Sequence, residues 1–327
     1  MELVKDMLAG DVLSLARLIT QVERDGAEVP EVMKEVYPHL GKAYCVGITG
    51  PPGAGKSTIV DRLTAVMRRQ GLTVGIIAAD PTSPFTGGAV LGDRIRMQQH
   101  YLDDGVFIRS MATRGSHGGL PGSTSGVIKL LNAFGKDFVV VETVGVGQTE
   151  LDIMQNADTT VVILVPEAGD TIQTMKAGLL EIADVFAVNK SDRPGADNLV
   201  AELRMMVQLY SQQSWWQAPV IATEAINDVG TEELYEQIER HRRALEETGR
   251  LSQRRQEQRR REFVETVERR LAGELLKLVE RDAELGRYVA MVEAGEVDPY
   301  SAADAVLRPG TLLAGWSKLL ADKLPGD

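Results

Sequence analysis

Gly50, Pro51, Pro52, Gly53, Ala54, Gly55, Lys56, Ser57 and Thr58 carry the spacing G-x-x-x-x-G-K-[ST], a pattern able to enclose a run of phosphates. Glycines in such a turn let successive backbone N–H groups point inward, and a helix starting at its end adds the positive pole of its dipole. Lys56 is then placed to reach the β- and γ-phosphates, and the Ser57 hydroxyl to ligate Mg²⁺. A glycine-rich turn without a ligand would have no need of Lys-Ser at its end.

A phosphate loop of this kind needs acids to hold a metal and its waters. Asp80 closes the apolar run Gly75 to Ala79, Glu142 closes Phe138 to Val141, and Asp93 lies in a glycine-rich stretch. Carboxylates at the carboxyl ends of strands stand where open α/β sheets bind ligands. Glu142-Thr-Val-Gly145 has the form D-x-x-G with Glu in place of Asp, so the Gly145 N–H is a candidate sensor of the γ-phosphate. Asn189, Lys190 and Asp192 form N-K-x-D after another apolar run. The Asp192 carboxylate can accept from guanine N1–H and its 2-amino group, whereas adenine offers an acceptor at N1 and would leave that carboxylate unpaired. Asn189 is expected to brace loops, and Lys190 to lie along the base plane. Glu224, Ala225 and Ile226 follow the next apolar run, where a backbone N–H would meet guanine O6 and where Ser commonly stands in place of Glu224.

Hydrolysis of a bound triphosphate depends on positioning and charge neutralisation, here assigned to Lys56, Glu142 and Mg²⁺. The water-positioning group is less well marked: Val146 follows Gly145, and Gln148 is the nearest candidate. Slow turnover alone, raised by a partner or by loop closure, is therefore expected. Arg94, Arg96, Arg109, Arg114 and Lys176 are candidate charge donors.

These groups must be held by a scaffold. Short β-branched runs at Tyr44 to Ile48, Thr73 to Ala79, Val106 to Ile108, Phe138 to Glu142, Thr160 to Val165, Val185 to Val188 and Pro219 to Ala222 alternate with helical stretches. Continuous apolar runs fit strands covered on both faces, so the expected architecture is α/β: a P-loop NTPase with a mostly parallel central sheet flanked by helices. Residues 1–40 are expected to form an N-terminal helical extension, with an amphipathic helix through Leu13, Leu15, Ala16, Leu18, Ile19 and Val22. Residues 41–240 form the P-loop domain, and residues 241–327 a helical C-terminal arm. Between His241 and Arg270 there are ten Arg and six Glu, the texture of a solvated, ion-paired helix. An apolar stripe at Val264, Val267, Leu271, Leu275 and Leu278 needs a partner surface, which makes the arm a candidate for dimerisation. A last helical stretch spans Ala302 to Leu307 and Leu312 to Leu320, with Trp316.

Composition narrows the class further. One cysteine, Cys45, excludes an intramolecular disulfide framework and Cys-rich metal sites. A formal charge of -11 disfavours a general nucleic-acid or anionic-membrane binder. The first thirty residues mix charges through their apolar positions and form neither signal peptide nor membrane span, so a soluble cytoplasmic protein is expected.

Taken together, these segments resemble the MeaB-type GTPases, the G-protein chaperones of adenosylcobalamin-dependent acyl-CoA mutases. The resemblance runs from about Gly10 to the C-terminal helices. It is carried by Gly10 to Glu23, Gly47 to Thr58, Ala79-Asp-Pro-Thr-Ser-Pro84, Gly92-Asp-Arg-Ile-Arg-Met97, Glu142 to Gln148, Gly169 to Lys176 and Asn189 to Asp192. It implies Mg²⁺·GTP binding with Asp80, Asp93 and Glu142 near the metal, and a homodimer built by the C-terminal arm. It also implies that the Gly169 to Lys176 loop is a further switch toward the mutase, and that GTP hydrolysis gates adenosylcobalamin loading and protects or reactivates the mutase. An adenosyltransferase is a further partner in that setting. No D-x-H-x-x-G signature occurs, so the cobalamin is expected on the partner. Two other readings share the fold class: a metal-insertion GTPase of nickel-enzyme maturation, for which His39, His100, His117 and Cys45 are scattered, and a GTP-dependent scaffold with little hydrolysis. An ATP-dependent kinase is opposed by the Asn189 to Asp192 element.

Overall fold

In a computed structural model, residues 2–41, 43–80, 97–112, 122–143, 149–166, 180–210, 215–281 and 283–308 are described. Seven strands form one sheet: β1 Tyr44–Thr49, β2 Val74–Asp80, β3 Val106–Ala112, β4 Phe138–Glu142, β5 Thr159–Leu164, β6 Val185–Asn189 and β7 Val220–Thr223. Their order is β3-β2-β4-β1-β5-β6-β7, and every pairing is parallel. β1 lies between β4 and β5, where the winding of the chain reverses, which is where doubly wound sheets open a crevice at their carboxyl edge.

The apolar runs are continuous because both faces are covered. The first four helices are α1 Glu2–Leu8, α2 Val12–Glu23, α3 Val29–Val36 and α4 Lys56–Arg69. Val46, Ile48 and Val140 face a core shared with Ile59, Leu63 and Met67 of α4 and with Leu234 and Ile238 of the helix Thr231–Glu247. Cys45, Val139 and Val141 alternate to the other side. There they meet Leu15, Leu18, Ile19 and Val22 of the helix Val12–Glu23, and Val127, Leu130 and Leu131 of the helix Thr124–Ala133. Residues expected as an N-terminal extension thus include part of the central core. Asp11 starts the helix Val12–Glu23 as its N-cap, accepting from the Ser14 N–H at 2.8 Å. A third cluster, including Val162, Phe186, Val188, Leu199 and Leu203, seats the helix Ala196–Tyr210.

The chain divides into two compact units, Met1–Arg255 and Gln256–Asp327. The helix Thr231–Glu247 belongs to the first, with His241 and Leu245 fully buried. In the second, Phe263, Val264, Val267 and Leu271 of the long helix Arg250–Arg281 are exposed, and Asp298 caps the helix Pro299–Leu307 by accepting from the N–H groups of Tyr300 and Ser301. Leu312 to Leu320 and Trp316 lie outside the described residues. Among the described residues no helix is long and apolar enough to cross a membrane.

The amino ends of the central strands are closed by a polar cluster. Arg255 pairs with Asp158 at 2.7 Å and donates to the Ala43 carbonyl at 2.9 Å, and Asp158 accepts from the Cys45 N–H at 2.9 Å. The Cys45 thiol is buried, and burial pushes its pKa far up. His241 shares a 2.8 Å hydrogen bond with the Thr159 hydroxyl, stands 3.4 Å from Asp184, and packs against the rings of Trp215 and Trp216. Burial lowers its pKa, opposed by Asp184 and Asp158 and aided by Arg254. The folded protein therefore refuses a proton that the unfolded chain accepts below about pH 6.5, and stability falls as pH drops through that region. The urea midpoint should fall between pH 7.5 and 5.5, and His241→Gln should shrink that fall. An equal fall in the variant would remove His241 as its source.

Candidate nucleotide site

At the carboxyl end of β1 the chain turns on glycines that no other residue could replace in place. Gly50 has φ +144°, and a Cβ there would lie 2.1 Å from the Ile163 carbonyl oxygen of β5. Gly55, at φ +86°, would bring a Cβ within 2.4 Å of the Asn189 amide nitrogen. Between them Pro51 and Ala54 are buried, while Pro52 and Gly53 are exposed. Gly55 then serves as the N-cap of α4, placing Lys56, Ser57 and Thr58 in its first turn.

Lys56 is only 7% exposed and folds back across the turn, its ammonium donating to the carbonyls of Gly50 at 3.0 Å and Pro51 at 3.1 Å. The buried Ser57 hydroxyl donates to Glu142 Oε1 at 2.6 Å. Glu142 is delivered there by register, standing beside Ile48 of β1 and Ala78 of β2. Thr143 extends the zip, its N–H donating to the Ile48 carbonyl at 3.1 Å and its hydroxyl to Thr49 Oγ1 at 2.9 Å. Asp80 ends β2 at the same edge of the sheet, paired in register with Ala112. A hydroxyl and a carboxylate oxygen side by side are hard donors, a set that fits Mg²⁺.

Asn189 ties this loop to the next. Its amide donates to the Ala54 carbonyl at 2.7 Å, and its Oδ1 accepts from the Ala225 N–H at 3.1 Å and the Thr223 hydroxyl at 3.3 Å. Lys190 takes a left-handed conformation, φ +60°, and the Ser191 N–H bonds to the Thr223 carbonyl at 3.0 Å. Asp192 is exposed on the turn that follows. Glu224 accepts from the Asn227 side chain, Ala225 is buried, and Ile226 is exposed.

The structure thus brings the P-loop, Glu142, Asn189 and the Glu224–Ile226 segment to one edge. Asp93, Gly145, Gln148 and Lys176 lie outside the described residues, as do Arg94, Arg96 and Arg114. Arg109 is not a charge donor at this edge. It sits in mid-β3, opposite Ile77, and bonds to Glu23 and to the Thr20 hydroxyl of the helix Val12–Glu23. One residue escaped the sequence reading: Arg62 of α4 bonds to backbone carbonyls of Ala225 and Ile226, more than 160 positions away, a relation with no local signature. Among the described residues no group of three or more His, Cys, Asp or Glu side chains is placed to hold a metal ion.

The family description "Methylmalonyl Co-A mutase-associated GTPase MeaB" matches residues 15–279 of the chain. The chain belongs to the MeaB family. A relative from Pyrococcus horikoshii, named as a GTPase, is 51% identical over 311 residues, covering 94% of this chain and 96% of its own. The Escherichia coli GTPase ArgK is 34% identical over 296 residues, 88% of each chain. The mouse protein named methylmalonic aciduria type A homolog, mitochondrial, is 34% identical over 219 residues, 66% of this chain and 53% of its own. Among solved structures, one titled as a LAO/AO transport system kinase superposes with a TM-score of 0.67 at 28% identity, covering 93% of this chain and 95% of that one. This MeaB-family protein is accordingly a P-loop GTPase, and its all-parallel sheet, N-terminal helices and C-terminal helices match that architecture.

Proposed function

We propose that this MeaB-family GTPase binds Mg²⁺·GTP between the Gly50–Thr58 loop and the Asn189 and Glu224 loops, and uses hydrolysis to serve an adenosylcobalamin-dependent acyl-CoA mutase. The observation that carries the nucleotide part is Asn189, whose one amide joins the phosphate loop to the Glu224 loop, the segment that would read the base. Lys56 neutralises the β- and γ-phosphates, and the P-loop N–H groups and the start of α4 hold their oxygens. Ser57 and Glu142, with Asp80 and Asp93, would hold Mg²⁺, which would offset phosphate charge. Gly145 senses the γ-phosphate, Gln148 and Lys176 complete the hydrolytic groups, and Asp192, Lys190, Ala225 and Ile226 surround guanine.

The mutase part is supported by the family match and by the mouse relative's name. In this reading GTP hydrolysis gates loading of adenosylcobalamin, which is carried by the mutase, and protects or reactivates that enzyme, with an adenosyltransferase as the source of cofactor. The exposed stripe through Val264, Val267 and Leu271 supports a homodimer through the C-terminal arm. The test is steady-state GTP hydrolysis by the purified protein, alone and with an acyl-CoA mutase from the same genome, with ATP as control. Turnover should be slow and specific for GTP, and should rise about tenfold or more with the mutase. Indifference to every such mutase would overturn the chaperone reading and leave the GTPase standing.

A further inference from the structure

Arg62 projects from the second turn of α4 toward the loop that follows β7. Its Nε donates to the Ala225 carbonyl at 3.2 Å and its Nη2 to the Ile226 carbonyl at 3.4 Å. The loop itself is tightly turned: Glu224 and Val229 exchange backbone hydrogen bonds at 3.0 and 3.2 Å, Asn227 N–H donates to the Glu224 carbonyl at 3.1 Å, and Asp228 sits at φ +58°. The Ala225 N–H is already taken by Asn189 Oδ1. All described peptide bonds are trans, so the Ile226 N–H points opposite to the Ala225 carbonyl that Arg62 holds.

We infer that Arg62 is a positioning residue for base recognition, clamping two successive carbonyls so that the Ile226 N–H is turned toward guanine O6. The inference rests on the guanine reading above. Arg suits the task because its planar fork presents several donors in fixed geometry, whereas a lysine would offer a single mobile ammonium. The same side chain links the helix that begins at the phosphates to the segment that meets the base. Rotating the Ala225–Ile226 peptide would break the clamp and turn its N–H away together.

The probe is 6-thio-GTP, which keeps the N1–H and 2-amino group but offers a weak sulfur acceptor in place of O6. The wild-type protein should bind GTP about tenfold more tightly than 6-thio-GTP. In Arg62→Ala the dissociation constant for GTP should rise about tenfold while kcat stays within about twofold, and the gap between GTP and 6-thio-GTP should close. Arg62→Lys should lie between the two, and Arg62→Gln keeps a neutral donor should the alanine variant fold poorly. Unchanged GTP affinity in folded Arg62→Ala or Arg62→Gln, or a gap that persists in them, would overturn the inference. A wild-type protein that fails to prefer GTP over ATP would instead sink the guanine reading itself.

Discussion

Lys56→Ala should abolish tight Mg²⁺·GTP binding and turnover together. The wild-type ammonium is buried and held over the loop by the Gly50 and Pro51 carbonyls, so it is aimed before any phosphate arrives and little ordering remains to be done on binding. Hydrogen bonds to charged groups contribute about 1.5 to 3 kcal/mol each, and replacing two of them by a methyl group removes about 10² to 10⁴ in affinity. Turnover should fall further, because negative charge shifts toward the leaving oxygens during phosphoryl transfer and the backbone N–H groups and Mg²⁺ would have to meet it without the ammonium. Calorimetric titration with GTP and release of phosphate over hours are the measurements. Hydrolysis at the wild-type rate would remove the phosphate-loop assignment altogether.

Asp192→Asn should exchange the preferred base. The wild-type carboxylate offers two acceptors to the N1–H and 2-amino donors of guanine, and the loop carrying it is fixed from behind by the Ser191 to Thr223 backbone bond. An amide replaces one acceptor by a donor, so guanine meets a like group at its 2-amino position. GTP affinity should fall about 100-fold, from the loss of one charge-assisted bond and the repulsion that replaces it. Xanthosine triphosphate, which carries an oxygen where guanine carries the 2-amino group, should gain by a similar factor. Competition between the two nucleotides, measured on both proteins, reads the change as a ratio and cancels any general loss of folding. An unchanged ratio would count against guanine recognition by Asp192.

The elements that were legible in the sequence are those whose cause is local. Phe138 to Val141 reads as a buried strand because it is covered by α4 on one face and by the N-terminal helices on the other. The apolar run Val106 to Ile108 marks only the start of β3, which continues to Ala112. Arg109 and Ser110 interrupt its apolar run, and the strand tolerates Arg109 because Glu23, a distant residue, neutralises it. Residues 1–40 look like an appendage for the same reason: nothing in Leu15, Leu18 or Ile19 states that their partners are Val127 and Leu131. At the site, Lys56, Ser57, Glu142 and Asn189 were legible because a phosphate chain or a base edge constrains residue type at fixed spacing. Arg62 answers to a backbone turn and not to a ligand atom, so its type at its position carries no pattern. Asp80 marks the edge by its place at the end of β2.

Cys45 gives the molecule an internal clock. Its thiol is sealed inside β1, with its ionisation suppressed by burial and its backbone fastened to Asp158 and through it to Arg255. The thiolate is the reactive form, so an alkylating reagent finds almost no target while the central strand stays paired. As the chain has a single cysteine, the rate at which one label per molecule accumulates counts the openings of the strand that leads into the phosphate loop.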